Sequence, residues 1–291
     1  MRAVVLEDGR TVAYEQWGDL DGRPMFFLHG TPGCRLNRHP DATLWPGLRL
    51  HVITLDRPGY GESTALPGRR VSHAAHDVAA VADALGFERF LVVGSSGGGP
   101  HALACAAELG DRVLACAAVA SAAPLLPAEV DDLISVNREA QRILAERGRP
   151  GLVEFLGALR GELLADVVGT LRVQLADAPS ADAQWNQRED VQRVRREAVL
   201  EALRPGVEGW VDDSISIFGE DWGVELGHVG CAVRFWHSDD DRNGPLSAIV
   251  RLVDAIPGAS LNVWSGEGHS APARNMEGIL RDLIAASGAG R

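Results

Sequence analysis

The residues with chemical potential in this chain centre on Gly94-Ser95-Ser96-Gly97-Gly98, which reads G-x-S-x-G with Ser96 in the middle. That pattern is informative only between a strand and a helix. Both neighbours are of the right type here: Phe90–Val93 is an apolar run, and the small-residue stretch Pro100–Glu108 favours a helix. Glycines let the chain turn without a Cβ collision, so that one hydroxyl stands at the tip of the turn. A serine hydroxyl alone is a weak nucleophile. It needs a base to take its proton, an acid to orient that base, and N–H donors for the oxyanion formed when it attacks a carbonyl.

The chain offers a candidate for each part. The base is His269, in Ser265-Gly266-Glu267-Gly268-His269-Ser270 just after the run Ser260–Val263. In a parallel sheet the C-terminal ends of all strands lie on one edge, where ligands bind, and both Ser96 and His269 follow a strand. The acid comes from His237-Ser238-Asp239-Asp240-Asp241-Arg242, after the strand ending at Trp236. Asp241 is preferred because Pro245 opens the following helix four residues later, with Asp239 and Asp240 as the alternatives. The loop Ser121-Ala122-Ala123-Pro124 holds no acid. The oxyanion donors are the backbone N–H groups of Gly97, at the helix start, and of Thr31 in His29-Gly30-Thr31-Pro32-Gly33, since Pro32 has no N–H.

These residues need a frame. Val4–Leu6 and Thr11–Trp17 suit a hairpin turning at Asp8-Gly9-Arg10. Met25–Leu28 and His51–Leu55 read as strands buried on both faces. Ser72 is placed to cap a helix with Val78, Val81, Ala82 and Leu85 on one side and Gly86 at its end. Leu114–Ala120 is the next strand, and this alternation implies a parallel sheet with right-handed crossovers. From Pro124 to about Trp222 no strand is expected. One helix face there is Leu133, Val136, Ala140 and Ile143; a second runs Leu156, Leu159, Leu163, Val167 and Leu171; a third carries Val191, Val194 and Ala198. Pro205 opens a fourth, with Val207, Trp210, Val211, Ser214 and Phe218 on one side. The strand pattern returns at Ala232–Trp236, then a helix near Leu246–Ala255, the strand Ser260–Val263 and a closing helix through Met276, Ile279, Leu280 and Leu283.

Composition narrows the function. The 291 residues carry a net charge of −12 and no Lys/Arg cluster, which argues against nucleic acid or an anionic membrane as partner. The four cysteines are scattered and none has metal-ligand spacing, so no metal and no cofactor are expected; Cys34, Cys105 and Cys116 read as small apolar filler. Glu7 and Asp8 interrupt the start too early for a signal peptide, and no run of about 20 apolar residues exists. A reducing cytoplasm is the expected compartment, and oligomeric state is not readable.

Taken in order, His29-Gly30-Thr31-Pro32-Gly33, Asp56-Arg57-Pro58-Gly59-Tyr60-Gly61-Glu62-Ser63, Gly94–Gly98, Asp241-Arg242-Asn243-Gly244-Pro245 and Gly268-His269 resemble the motifs of the α/β-hydrolase superfamily along the whole chain. The resemblance implies a mostly parallel sheet flanked by helices, with residues 1–123 and 223–291 as the core and residues 124–222 as a helical cap over the active site. It implies Ser96 as nucleophile, Asp241 as acid, His269 as base, and Thr31 and Gly97 as the oxyanion hole. The elbow is similar to those of esterase-like and proline-iminopeptidase-like members. Thr31 replaces one glycine of the iminopeptidases' doubled-glycine loop, which argues against peptidase activity. Serine at position 96 argues against dehalogenases and epoxide hydrolases, which carry aspartate there. The expected activity is cofactor-independent hydrolysis of a carboxylic ester of a small hydrophobic molecule, with Trp210 and Phe218 as candidate substrate contacts; gluing cap to core is their competing role. Lactone, thioester or C–C bond hydrolysis on the same triad, and a lyase or cyclase using the same fold, are the alternatives. An aminopeptidase and a non-catalytic binding protein rank below them.

Overall fold

The computed structural model describes residues 2–176, 178–219 and 221–288. Its eight strands are β1 (Arg2–Val5), β2 (Thr11–Gly18), β3 (Arg23–Leu28), β4 (Leu50–Leu55), β5 (Phe90–Ser95), β6 (Val113–Val119), β7 (Ala232–Ser238) and β8 (Ser260–Trp264). They form one sheet in the order β1-β2-β4-β3-β5-β6-β7-β8. The hairpin β1–β2 and the β2–β4 pair are antiparallel; every pair from β4 to β8 is parallel.

The central strands are continuous apolar runs because both of their faces are covered. Alternation assigns each residue to a face. Phe26, Ile53 and Val92 belong to one buried cluster with Val78 of α2 (His73–Leu85), Leu103 of α3 (Gly98–Glu108) and Ile249 of α9 (Leu246–Asp254). Met25, Val52, Leu91 and Val93 meet α1 (Leu44–Gly47) and α11 (Met276–Ala286) through Trp45, Leu280 and Leu283.

Between β6 and β7 the described residues form helices and no strand: the α-helices are α4 (Ser135–Ala165), α5 (Val167–Gln174), α6 (Ser180–Asn186), α7 (Glu189–Ala202) and α8 (Glu208–Ser216). The apolar faces of α4, α5, α7 and α8 share a third cluster, with Leu152, Leu156, Leu163, Val199 and Trp210 packed together with Tyr60 and with Cys34. The segment entering the insert is held by Glu129, whose carboxylate accepts from Arg251 Nη2 at 2.8 Å and from the Leu126 N–H at 2.8 Å.

Local chemistry moves several expected boundaries. α4 breaks at Gly148 (φ 63°, ψ −165°), a backbone that glycine adopts readily, and Pro150 sits in the first turn after the break. The stripe from Leu156 to Leu171 is divided between α4 and α5, because Asp166 leaves the helical region and its carboxylate caps α5 at the Gly169 N–H, 3.0 Å away. Pro205 stands outside α8, which starts at Glu208. Ser72 precedes α2 but makes no side-chain cap; its backbone N–H donates to Trp222 O at 3.0 Å. No helix among the described residues is long and apolar enough to cross a membrane.

Candidate active site

Ser96 sits between the end of β5 and the start of α3 with φ 56°, in the left-handed region that costs a side-chain-bearing residue energy. Backbone bonds to the neighbouring strand hold it there. Its N–H donates to Val119 O at 2.9 Å, and its carbonyl accepts from Gly99 N at 2.9 Å and Ala122 N at 3.1 Å. The flanking glycines answer close backbone approach: a Cβ on Gly98 would stand 2.1 Å from Leu28 O, and one on Gly94 would stand 2.2 Å from Gly98 O.

His269 reaches this turn from the loop after β8. Its Nε2 lies 3.1 Å from Ser96 Oγ, and its Nδ1 lies 2.9 and 2.8 Å from the two oxygens of Asp241. A carboxylate accepts only, so Nδ1 carries the hydrogen and Nε2 is left to accept from the serine hydroxyl. Burial opposes charge on both partners, yet each holds the other's ionised form. The Asp241 carboxyl is kept below its ordinary value by His269, and the His269 imidazole above its own by Asp241.

Among the three adjacent aspartates, the geometry brings Asp241 alone to the histidine. Its carboxylate is fully buried, whereas Asp239 and Asp240 are exposed. Asp239 instead ties its own loop to the next, accepting from Ser265 Oγ at 2.8 Å and Gly266 N at 2.7 Å. Behind Asp241 sits buried His237, whose Nε2 donates to Gly244 O at 2.8 Å; burial keeps this imidazole below the usual histidine range.

Thr31 and Gly97 adjoin each other beside Ser96. A Cβ on Gly97 would lie 3.3 Å from Thr31 N, and one on Gly30 would lie 3.2 Å from Ser96 Cβ. Among the described residues, neither the Thr31 nor the Gly97 N–H donates to a protein acceptor.

Local spacing along the chain carries no sign of what lies behind this loop. Asp213 of α8, fully buried, accepts from the Thr31 hydroxyl at 2.6 Å, from Tyr60 Oη at 3.0 Å, from Arg57 Nη2 at 2.5 Å and from Arg69. Arg57 also donates to the carbonyls of His29 and Gly30, at 2.5 and 3.0 Å, which are the backbone immediately before Thr31. On α3, His101 Nδ1 is 2.7 Å from Gly97 O; burial pushes this imidazole down to about 3, so it is neutral. The Asp213 carboxyl, although buried, is held well below its ordinary value by the Arg57 and Arg69 charges. Two guanidiniums against one carboxylate leave the cluster with an excess of one positive charge. These pairs join residues about 140 to 180 positions apart in the chain, so no local spacing could have announced them.

A cavity of about 320 Å³ opens over Ser96 and His269 and runs beneath α5, α6 and α7. Thr31 and Trp210 line it. Phe218, expected as a second substrate contact, does not: α8 ends at Ser216, and Phe218 packs against the buried cluster that contains Leu103 and Ile249. Cys34 is fully buried away from the cavity, and burial pushes its thiol up to about 12. No group of acidic, histidine or cysteine side chains among the described residues is placed to hold a metal ion.

Comparison with known proteins agrees with this architecture. Residues 23–272 match the family described by the alpha/beta hydrolase fold. The chain belongs to that family. A bifunctional esterase/perhydrolase of Acinetobacter calcoaceticus is 26% identical over 98% of this chain and 99% of its own length. A 2-hydroxy-6-oxononadienedioate/2-hydroxy-6-oxononatrienedioate hydrolase of Burkholderia vietnamiensis is 28% identical over 96% of this chain and 92% of its own length. Among solved structures, the enol-lactonase of Burkholderia xenovorans superposes with a TM-score of 0.70 at 17% identity, covering 98% of this chain and all of that one. This α/β-hydrolase fold therefore has its helical insert at the point where the element order leaves β6 and rejoins the sheet at β7. Ser96, Asp241 and His269 all lie at the sheet edge where β5, β7 and β8 end.

Proposed function

We propose that this hydrolase cleaves the carboxylic ester of a small, largely hydrophobic molecule through an acyl-enzyme on Ser96. The observation that carries the reading is the unbroken line from Ser96 Oγ to His269 Nε2, at 3.1 Å, and from His269 Nδ1 to Asp241, at 2.8 Å. Ser96 Oγ attacks the ester carbon as its proton passes to His269 Nε2. The carbonyl oxygen becomes an oxyanion, which the N–H groups of Thr31 and Gly97 stabilise. His269 then gives the proton to the departing alkoxide oxygen. A water that has lost its proton to His269 attacks the acyl carbon, and the carboxylic acid leaves with Ser96 restored. Asp241 holds the tautomer and stabilises the imidazolium without taking its proton.

On this reading residues 124–222 are the cap and residues 1–123 and 223–291 the catalytic core. The apolar lining, including Leu171, Val191 and Trp210, supports a hydrophobic acyl or alkoxy group. The second reading is C–C bond hydrolysis on the same three residues, favoured by the 28% identical relative named for that class of substrate. Labelling with a fluorophosphonate probe, mapped to the peptide carrying Ser96, tests the nucleophile. Hydrolysis of p-nitrophenyl acetate by the parent, set beside Ser96→Ala, tests the reaction. An Ser96→Ala protein turning over at the parent rate would remove the assignment.

A further inference from the structure

The buried arginines Arg10, Arg35, Arg57 and Arg69 each meet a carboxylate at 3.0 Å or closer. Arg195, half-buried on α7, does not. It lines the cavity over Ser96, and among the described residues its guanidinium makes no hydrogen bond or ion pair. Two more polar groups line the same cavity. Gln174 Nε2, from α5, and Asn186 Oδ1, from α6, are buried and have no hydrogen-bond partner. Buried polar atoms are nearly always satisfied, and a cation withdrawn from water without a counter-charge is costlier still. Among the described residues Asp182 is the carboxylate whose field favours the Arg195 charge, but it is engaged elsewhere: it accepts from Ser270 N at 2.8 Å and lies 3.7 Å from Arg274. A guanidinium keeps its proton at any working pH, so the charge persists.

We propose that Arg195, with Gln174, forms a subsite for a carboxylate on the substrate, so that the preferred ester carries an apolar chain ending in an anionic group. The inference rests on the ester-hydrolase reading for where the scissile carbonyl sits; the subsite itself is a matter of binding. A planar guanidinium matches a carboxylate with two parallel hydrogen bonds, and the Gln174 amide adds a third donor. Leu171, Leu175 and Val194 line the same cavity and suit the stem of such a chain. An anion there also balances the Arg195 charge.

Two measurements test it. The first compares kcat/KM for mono-4-nitrophenyl glutarate with that for 4-nitrophenyl valerate, which differ in the terminal carboxylate. The native protein prefers the glutarate by about 10-fold or more, and Arg195→Gln lowers that ratio by about 10- to 100-fold, mainly through KM, with Arg195→Lys recovering part of it. The second titrates glutarate into Ser96→Ala and into Ser96→Ala/Arg195→Gln by calorimetry, which reads the subsite without turnover. Saturable binding to the first and its loss in the second support the proposal. A native ratio at or below one, a ratio unmoved by Arg195→Gln, or equal titrations overturn it. If neither ester is hydrolysed by the native protein, the ester reading fails, and the titration still decides the subsite.

Discussion

Both carboxylate oxygens of Asp241 lie within hydrogen-bond distance of His269 Nδ1, at 2.9 and 2.8 Å. The pairing fixes a pH dependence. His269 accepts a proton from Ser96 only when neutral, and Asp241 raises its pKa above the ordinary 6.5. The acid limb of kcat/KM against pH is therefore expected with its midpoint above 6.5. A rate flat from pH 5 to 8 would show that His269 is not the base.

The aspartate assignment separates cleanly by substitution. Asp241→Asn is expected to lower kcat by roughly 10⁴, because the amide cannot hold the imidazolium or its tautomer. Asp239→Asn removes only a tie between two exposed loops and is expected to stay within a few-fold of the parent. Steady-state rates on p-nitrophenyl acetate read both.

Asp213→Asn is expected to destabilise the protein by about 3–5 kcal/mol, the range for leaving a buried charge unpaired, since it faces Arg57 and Arg69 together. Urea unfolding measures it. Thr31→Val keeps the backbone N–H and loses only the hydroxyl, which donates to Asp213 and accepts from Arg57. It is expected to cost about 1–3 kcal/mol, with kcat falling more than KM rises if the network positions the oxyanion donors.

Glu129 supplies a pH-dependent clasp. The side-chain hydrogen bond from Arg251 lowers its pKa from 4.5 to about 2. A carboxyl depressed in the folded state gives stability that is present above 4.5 and lost as pH falls through about 2. Arg251 is 40% exposed, so solvent screening reduces the contribution to about 1–2 kcal/mol. Glu129→Gln should lower Tm at pH 7, and the gap to the parent should close near pH 2. A gap that is constant with pH would refute the clasp.

What the sequence discloses depends on the range of the interaction. Buried strands such as β4 and β5 are legible because both of their faces are covered, so apolar residues dominate them. Ser96 and His269 are legible because each follows a strand. Choosing among Asp239, Asp240 and Asp241 needs the direction in which each side chain leaves the backbone, and the notion that Pro245 marks the helix start reaches Asp241 by spacing alone. In the insert, helix ends depend on single residues: Gly148 and Asp166 interrupt apolar periodicity that runs on past them. Phe218 shares a helical period with Trp210, but the helix stops two residues before it. Arg195 and Gln174 stand 21 positions apart and line one cavity only because α5, α6 and α7 fold back on one another.

The buried Asp213 also sets a rule for recombination among relatives. A chimera that exchanged residues 124–222 for another protein's helices would inherit Arg57 and Arg69 from the recipient with nothing opposite them. Only donors that bring an acid to the position of Asp213 can be grafted without that fault. The helices between β6 and β7 are thus not freely interchangeable: they carry one half of an ion pair whose other half stays behind on Arg57 and Arg69.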